Sequence, residues 1–197
     1  MATKTASDHP TFALPDGKPV RADQVEAELR ARVATCERAL EDALWQLARF
    51  CSLTGKQENA SACVERCLAT TRDLARQAAG CLGLGQLLEQ QDRYAEAEAM
   101  YARGLALPTA PAEVAYFLHN NRGYCLNILR RHVEAEAQCR AAIAIDPTRH
   151  NAHKNLGLAL AGQGRYGEAA RCLLEADPTL AAACRERGIR PGSDGSA

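Results

Sequence analysis

The sequence predicts an all-α fold, a stack of helix–turn–helix hairpins, on three observations. First, Gly85, Gly123 and Gly157 are each followed nine residues later by Tyr94, His132 and Tyr166, and three residues beyond those by Ala97, Ala135 and Ala169. The last two copies lie 34 residues apart and the first two 38, and a period near 34 with small residues at fixed places marks stacked helical hairpins. Second, hydrophobic residues make up 47% of the 197-residue chain but aromatics only 5%, so the apolar content is mainly alanine and leucine, which favour helix over strand. Third, Pro108 and Pro147 close the second helices of two copies, because a missing N–H and a ring clash stop a helix from propagating.

Taken in order, residues 1–21 are rich in Pro, Thr, Lys and Asp and are expected to be extended or disordered, with a turn over Leu14–Pro19. Asp23-Gln24-Val25-Glu26 reads as a capping box. The helix it starts carries Val25, Leu29, Val33, Cys36, Leu40, Ala43, Leu47 and Phe50 at spacings of three and four, and should stop at Gly55. Some 30 residues is long for a globular helix, so its first half either overhangs the array and pairs with another chain or folds back on its own neighbours. The array itself is expected over 22–188: a degenerate unit at 41–74, then units at 78–111, 116–149 and 150–177. Their helices fall at about 78–90 with 94–106, 113–129 with 133–145, and 150–162 with 166–176. Asp177-Pro178 begins a short capping helix over 178–187, which Gly188 ends, and 189–197 is a mobile tail.

Composition and motifs exclude much chemistry. Lys plus Arg equals Asp plus Glu at 24 each, which argues against nucleic acid and anionic membrane as partners, since both need a basic excess. The N-terminus lacks the apolar core of a secretory signal and no apolar run reaches membrane-spanning length, so a cytoplasmic protein is expected. Nine cysteines contain no CxxC pair and fall mostly on apolar helix faces, as packing residues in a reducing compartment. His150 and His153 near Cys139, and Cys63 and Cys67 near Cys81, are too sparse for metal ligation. No phosphate loop, GxSxG or HExxH is present. No catalytic residue, metal or cofactor is therefore expected, and Glu96, Glu98, Glu134, Glu136 and Glu168 read as solvated faces of second helices.

The chain resembles the tetratricopeptide-repeat family. The resemblance rests on Asn121-Arg122-Gly123 … His132-Val133-Glu134-Ala135 … Ala142 … Asp146-Pro147, and on Asn155-Leu156-Gly157 … Tyr166-Gly167-Glu168-Ala169 … Ala176. Leu84-Gly85 … Tyr94-Ala95-Glu96-Ala97 … Tyr101 matches nearly as well, so the resemblance is strong over 78–176 and weaker from 41. It implies a right-handed superhelix whose concave face is lined by first helices, with the glycines and alanines removing bulk where helices cross and Tyr94 or Tyr166 filling the corner beside the turn.

Carried over position by position, the resemblance implies a peptide-binding groove. Its third unit contributes Phe117, Asn120, Asn121, Tyr124 and Asn127, and its fourth Asn151, Lys154, Asn155 and Leu158. The second adds Leu82, Gln86, Glu89 and Gln90, and the degenerate first Trp45 and Arg49. Asn121 and Asn155, 34 residues apart, should stack in register as amides able to hold an extended backbone, with Phe117 and Tyr124 as apolar anchors. The alternative for the asparagines is a structural bond to a neighbouring helix, and for the two aromatics core packing. The carboxylate clamp of chaperone-binding repeats is missing, since Leu82 and Gln86 stand where its first Lys and Asn belong. The expected function is that of an adaptor or scaffold binding an extended peptide or helix of a protein partner. The alternatives are a homodimeric module assembled through the N-terminal helix, or a secretion-chaperone-like protein.

Overall fold

Runs of leucine and alanine at three- and four-residue spacing fold here into helices wherever a turn residue does not interrupt them. The computed structural model describes residues 11–13 and 19–177, together with 179, 182 and 186. The chain divides after Leu44 into two units. The first contains strands β1 (Thr11–Ala13) and β2 (Pro19–Arg21), antiparallel with Phe12 opposite Val20, and most of helix α1 (Ala22–Leu53). The described part of the segment expected to be extended or disordered is thus a pair of short antiparallel strands, and most of the Leu14–Pro19 turn lies outside the described residues. Helix α1 begins one residue before the expected box, and the Asp23 carboxylate accepts bonds of 3.1 and 2.9 Å from the Arg21 guanidinium.

The second unit holds the end of α1, followed by α2 (Gln57–Thr70), α3 (Leu74–Glu89), α4 (Tyr94–Leu105), α5 (Ala112–Ile128), α6 (His132–Ile145), α7 (His150–Gly162) and α8 (Tyr166–Ala176). Helix α3 starts four residues earlier than periodicity predicts. Asp73 caps it, its carboxylate accepting the N–H groups of Ala75 and Arg76 at 2.9 and 3.2 Å. The capping helix expected over 178–187 and the tail over 189–197 lie outside the described residues, apart from Thr179, Ala182 and Glu186.

Each hairpin turn inside a pair contains one residue in the left-handed region: Gly55 (φ 75°), Asp92 (58°), Arg130 (60°) and Gly164 (80°). Only two of the four are glycine, which hides the shared turn from a sequence search. The small residues act as the repeat predicts. A Cβ on Gly85 would press into the Tyr101 ring, one on Gly123 would lie 2.7 Å from Cys139 Sγ, and one on Gly157 2.8 Å from Leu173. First and second helices therefore cross at near-backbone distance, with Ala97 and Ala135 fully buried and Ala169 3% exposed. Tyr166 does not fill its corner: it is 72% exposed.

Charge repeats as well. Arg93, Arg131 and Arg165 stand at the N-caps of α4, α6 and α8, and each grips the Glu three residues on (Glu96, Glu134, Glu168) at 2.6–2.7 Å. Glu98 and Glu136, expected on solvated faces, instead bridge successive pairs. Glu98 reaches Arg122 at 2.7 Å and Glu136 reaches Arg165 at 2.8 Å, with side chains only 12% and 14% exposed. Burial acts to raise the Glu136 carboxyl, but bonds from Gln163, Arg140 and Arg165 hold it below the ordinary value.

Curvature follows from which helices touch. Helices α3, α5 and α7 pack successively on one another, whereas no comparable packing joins α4 to α6 or α6 to α8. First helices lie on the inner radius of the second unit and second helices on the outer one.

Candidate partner-binding groove

The inner face is made by α3, α5 and α7, together with the end of α1, and the structure sorts the expected groove residues into two groups. Gln86, Gln90, Arg49, Asn151, Lys154 and Leu158 are exposed, Leu158 at 45%, and Tyr124 is half-buried, edge-on to Tyr94 with ring centroids 6.2 Å apart. At the first-unit end a pocket of about 180 Å³ is lined by Trp45, Arg49, Ser52, Gln86, Leu87 and Gln90, among others. Trp45 settles onto α3 beside Gly80 and Gly83, the ring lying 3.5 Å from where a Gly83 Cβ would be, ordinary van der Waals contact.

The other group is engaged in holding helices together. Asn120 and Asn155 are only 7% and 9% exposed, and the Asn155 amide donates to Asn120 Oδ1 at 3.1 Å and to the Asn120 carbonyl at 3.4 Å. The expected register of Asn121 with Asn155 is replaced by this bond one residue earlier, because the Asn155 side chain points across to α5 rather than into the hollow. Asn127 donates to the Asn155 carbonyl at 2.9 Å, and its own oxygen lies 3.4 Å from His132 Nδ1. Phe117 packs on the cluster of Tyr116, Ala142 and Ala152, edge-on to Tyr116, and the Arg149 guanidinium stacks 4.8 Å above both rings. These are joints between units, the structural alternative the sequence left open.

A polar chain absent from the sequence reading runs through the same joints. Asn120 donates to Asn121 Oδ1 at 3.0 Å, and the Asn121 side chain bonds the Tyr101 hydroxyl. Tyr101 in turn donates to Glu89 Oε1 at 2.8 Å, and the Cys125 thiol donates to the same oxygen at 3.3 Å. Burial pushes the Glu89 carboxyl above its ordinary value, with the two donors opposing. A carboxyl whose folded pKa exceeds its unfolded one binds its proton more tightly when folded, so it subtracts stability as pH rises through the interval between the two values. Glu89→Gln, which keeps an acceptor for both donors, is expected to raise the denaturation midpoint at neutral pH and to match wild type below about pH 3, where Glu is protonated in both states. Equal midpoints at neutral pH would contradict this. The signal for the chain in sequence is weak, since Glu89, Tyr101 and Cys125 recur in no other unit.

Six of the described cysteines serve as packing. Cys51, Cys63, Cys67, Cys81, Cys125 and Cys139 are buried, and burial holds the Cys139 thiol up at about 12, with Cys81 and Cys125 also raised. His153 is directed to Glu175 and to the Pro147 carbonyl, each at 3.1 Å. Among the described residues no group of three or more His, Cys, Asp or Glu is placed to hold a metal ion, and no helix is long and apolar enough to cross a membrane.

Comparison with known proteins places this geometry. A family model described as tetratricopeptide repeat matches residues 81–115, from within α3 through α4 to the start of α5. Among solved structures, a crystal structure of MamA is 21% identical over 79% of this chain and 86% of its own, with a TM-score of 0.61. MamA from Desulfovibrio magneticus RS-1 is 18% identical over 76% and 86%, at 0.60. A tetratricopeptide repeat protein from Parabacteroides merdae ATCC 43184 is 17% identical over 77% of this chain and 59% of that one, at 0.63. A search of curated protein sequences finds no match. At these identities the neighbours establish the fold: the chain has the tetratricopeptide-repeat fold, and the matched repeat at 81–115 is one hairpin of a stack in which the same turn, small residues and charge pairs recur.

Proposed function

We propose that this chain is an adaptor that holds an extended segment of a protein partner along the inner face of α3, α5 and α7. Tetratricopeptide-repeat proteins mediate protein–protein interactions. The observation that carries the finer reading is the division of the inner helices: Phe117, Asn120, Asn127 and Asn155 join the repeats, while Gln86, Gln90, Asn151, Lys154 and Leu158 are exposed on α3 and α7 and Tyr124 is half-buried on α5. Those side chains combine amides that donate and accept, one cation and two apolar surfaces, which suits a peptide backbone with an occasional apolar or acidic side chain. The pocket between Trp45, Arg49 and Gln90 offers an end stop for one side chain of the guest.

Selection of a displayed random-peptide library on the full chain, followed by calorimetry of the selected peptides, tests this reading. The double variant Gln90→Ala/Lys154→Glu is expected to weaken binding at least about tenfold, or about 1.4 kcal/mol. Val133→Ser on α6, where Val133 is 71% exposed on the outer radius, should leave it unchanged. Peptides that bind the groove variant as well as wild type would sink the reading.

A further inference from the structure

Helix α1 carries a second apolar face that the described residues leave open. On one side Leu44, Ala48 and Cys51 are buried at 4–5% exposure. On the adjoining side Leu29, Val33, Leu40, Leu47 and Phe50 are 51%, 56%, 44%, 49% and 59% exposed, and Cys36 is also exposed. With Cys36 and Ala43 included, this open face keeps spacings of 4, 3, 4, 3, 4 and 3 from Leu29 to Phe50. A helix that packs within a globular fold follows a period of 3.6, whereas a strict alternation of three and four over three heptads is the seam of a left-handed coiled coil. At 32 residues α1 is also about twice the length of α3, α5 or α7, which have 16, 17 and 13. A monomer rarely exposes so long an apolar face.

We propose that this face pairs in parallel with the same face of a second copy of the chain. The flanking charges specify the occupant and its direction. With Val33, Leu40 and Leu47 at a and Leu29, Cys36, Ala43 and Phe50 at d, Arg32 falls at g and Glu37 at the following e. In a parallel pair g meets the next e of the partner, so Arg32 faces Glu37 of the partner subunit, and the two-fold axis forms that bond twice. Neither Arg32 nor Glu37 has an ion pair among the described residues, although Arg21 holds Asp23 and Arg30 holds Glu26 on the same helix. In an antiparallel pair that overlaps the seam from Leu29 to Leu47, Glu37 would instead face Glu37 of the partner subunit, a like-charge contact. Leu29, Arg32, Val33, Cys36, Glu37 and Leu40 border a concavity of about 470 Å³ along this face. The proposal is independent of the peptide groove.

Light scattering of the full chain is expected to give twice the monomer mass at micromolar concentration. Val33→Glu/Leu40→Glu, at positions already exposed in the single chain, should give monomer with unchanged helix content. Arg32→Glu should weaken the dimer about tenfold and Arg32→Glu/Glu37→Arg should restore it. In a parallel pair Cys36 faces its own counterpart, so added copper–phenanthroline, which takes one electron from each thiol, should link wild type into a covalent dimer but not Cys36→Ser. A monomeric wild type, a dimer that survives Val33→Glu/Leu40→Glu, or a dimer that Cys36 does not link would overturn the proposal. So would a chain that dimerises only after residues 1–18 are removed, since the cover would then be its own N-terminal segment.

Discussion

Gly85→Ala is expected to destabilise the array by about 1–3 kcal/mol, whereas Gly83→Ala, two residues away on the same helix, should stabilise it by about 0.5–1 kcal/mol. Both changes raise helix propensity equally, so propensity alone predicts two gains of the same size. Space separates them. A Cβ at residue 83 would sit 3.5 Å from the Trp45 ring, ordinary van der Waals contact, but a Cβ at residue 85 would enter the ring of Tyr101. Tyr101 is fully buried and its hydroxyl is fixed to Glu89 at 2.8 Å, so the ring has no free direction in which to retreat. The cost must then be met by separating α3 from α4, which loosens the crossing on which the whole hairpin depends. Urea denaturation of both variants measures the difference, and two changes of the same sign would refute the steric account. The next unit offers an internal control: Gly123 faces Cys139 Sγ, so Cys139→Ala should relieve part of the cost of Gly123→Ala.

What was legible in the sequence follows from the same geometry. A crossing that excludes a Cβ admits one residue type, so Gly85, Gly123 and Gly157 mark the repeat plainly, and Ala97, Ala135 and Ala169 mark its other side. Where several residue types satisfy one physical need, the pattern blurs. The left-handed turn position is Gly, Asp, Arg and Gly in the four hairpins, so it cannot be seen as a repeat. The early start of α3 depends on Asp73 accepting two N–H groups, a local contact with no counterpart in the other units. The groove was the hardest part to read because position along a first helix fixes only the approximate direction of a side chain. Asn120 and Asn121 are neighbours in sequence, yet it is Asn120 that Asn155 reaches, and a rotation of α7 by a fraction of a turn decides which amide faces the hollow. Glu98 and Glu136 are illegible as bridges for a related reason: their partners Arg122 and Arg165 lie 24 and 29 residues away, beyond any helical pairing rule.

Asn155→Asp is expected to cost more stability than Asn155→Ala, and both should cost more than Asn121→Ala. In wild type Asn155 is the first donor of a chain that runs through Asn120, Asn121 and Tyr101 to the carboxylate of Glu89, joining α7, α5, α4 and α3. Alanine removes that donor and leaves Asn120 Oδ1 without its partner in a site 7% exposed, a loss of about 1–3 kcal/mol. Aspartate keeps the shape but sets a carboxylate against the Asn120 carbonyl and Oδ1, both acceptors, so repulsion and the burial of a charge are added to the lost bond. Asn121 is less buried, and water can reach the groups its removal would free. Because each unit of such an array is stabilised chiefly by its neighbours, the damage should remain local. Hydrogen exchange is expected to quicken in α7 and α8 while α3 and α4 keep their protection. The same variants separate the two roles open to this residue. If Asn155→Ala leaves stability and exchange unchanged but weakens the peptides selected on wild type, the amide is a groove contact after all; if exchange quickens at α7 and α8 and peptides confined to the Trp45 pocket bind as before, it is a joint between units.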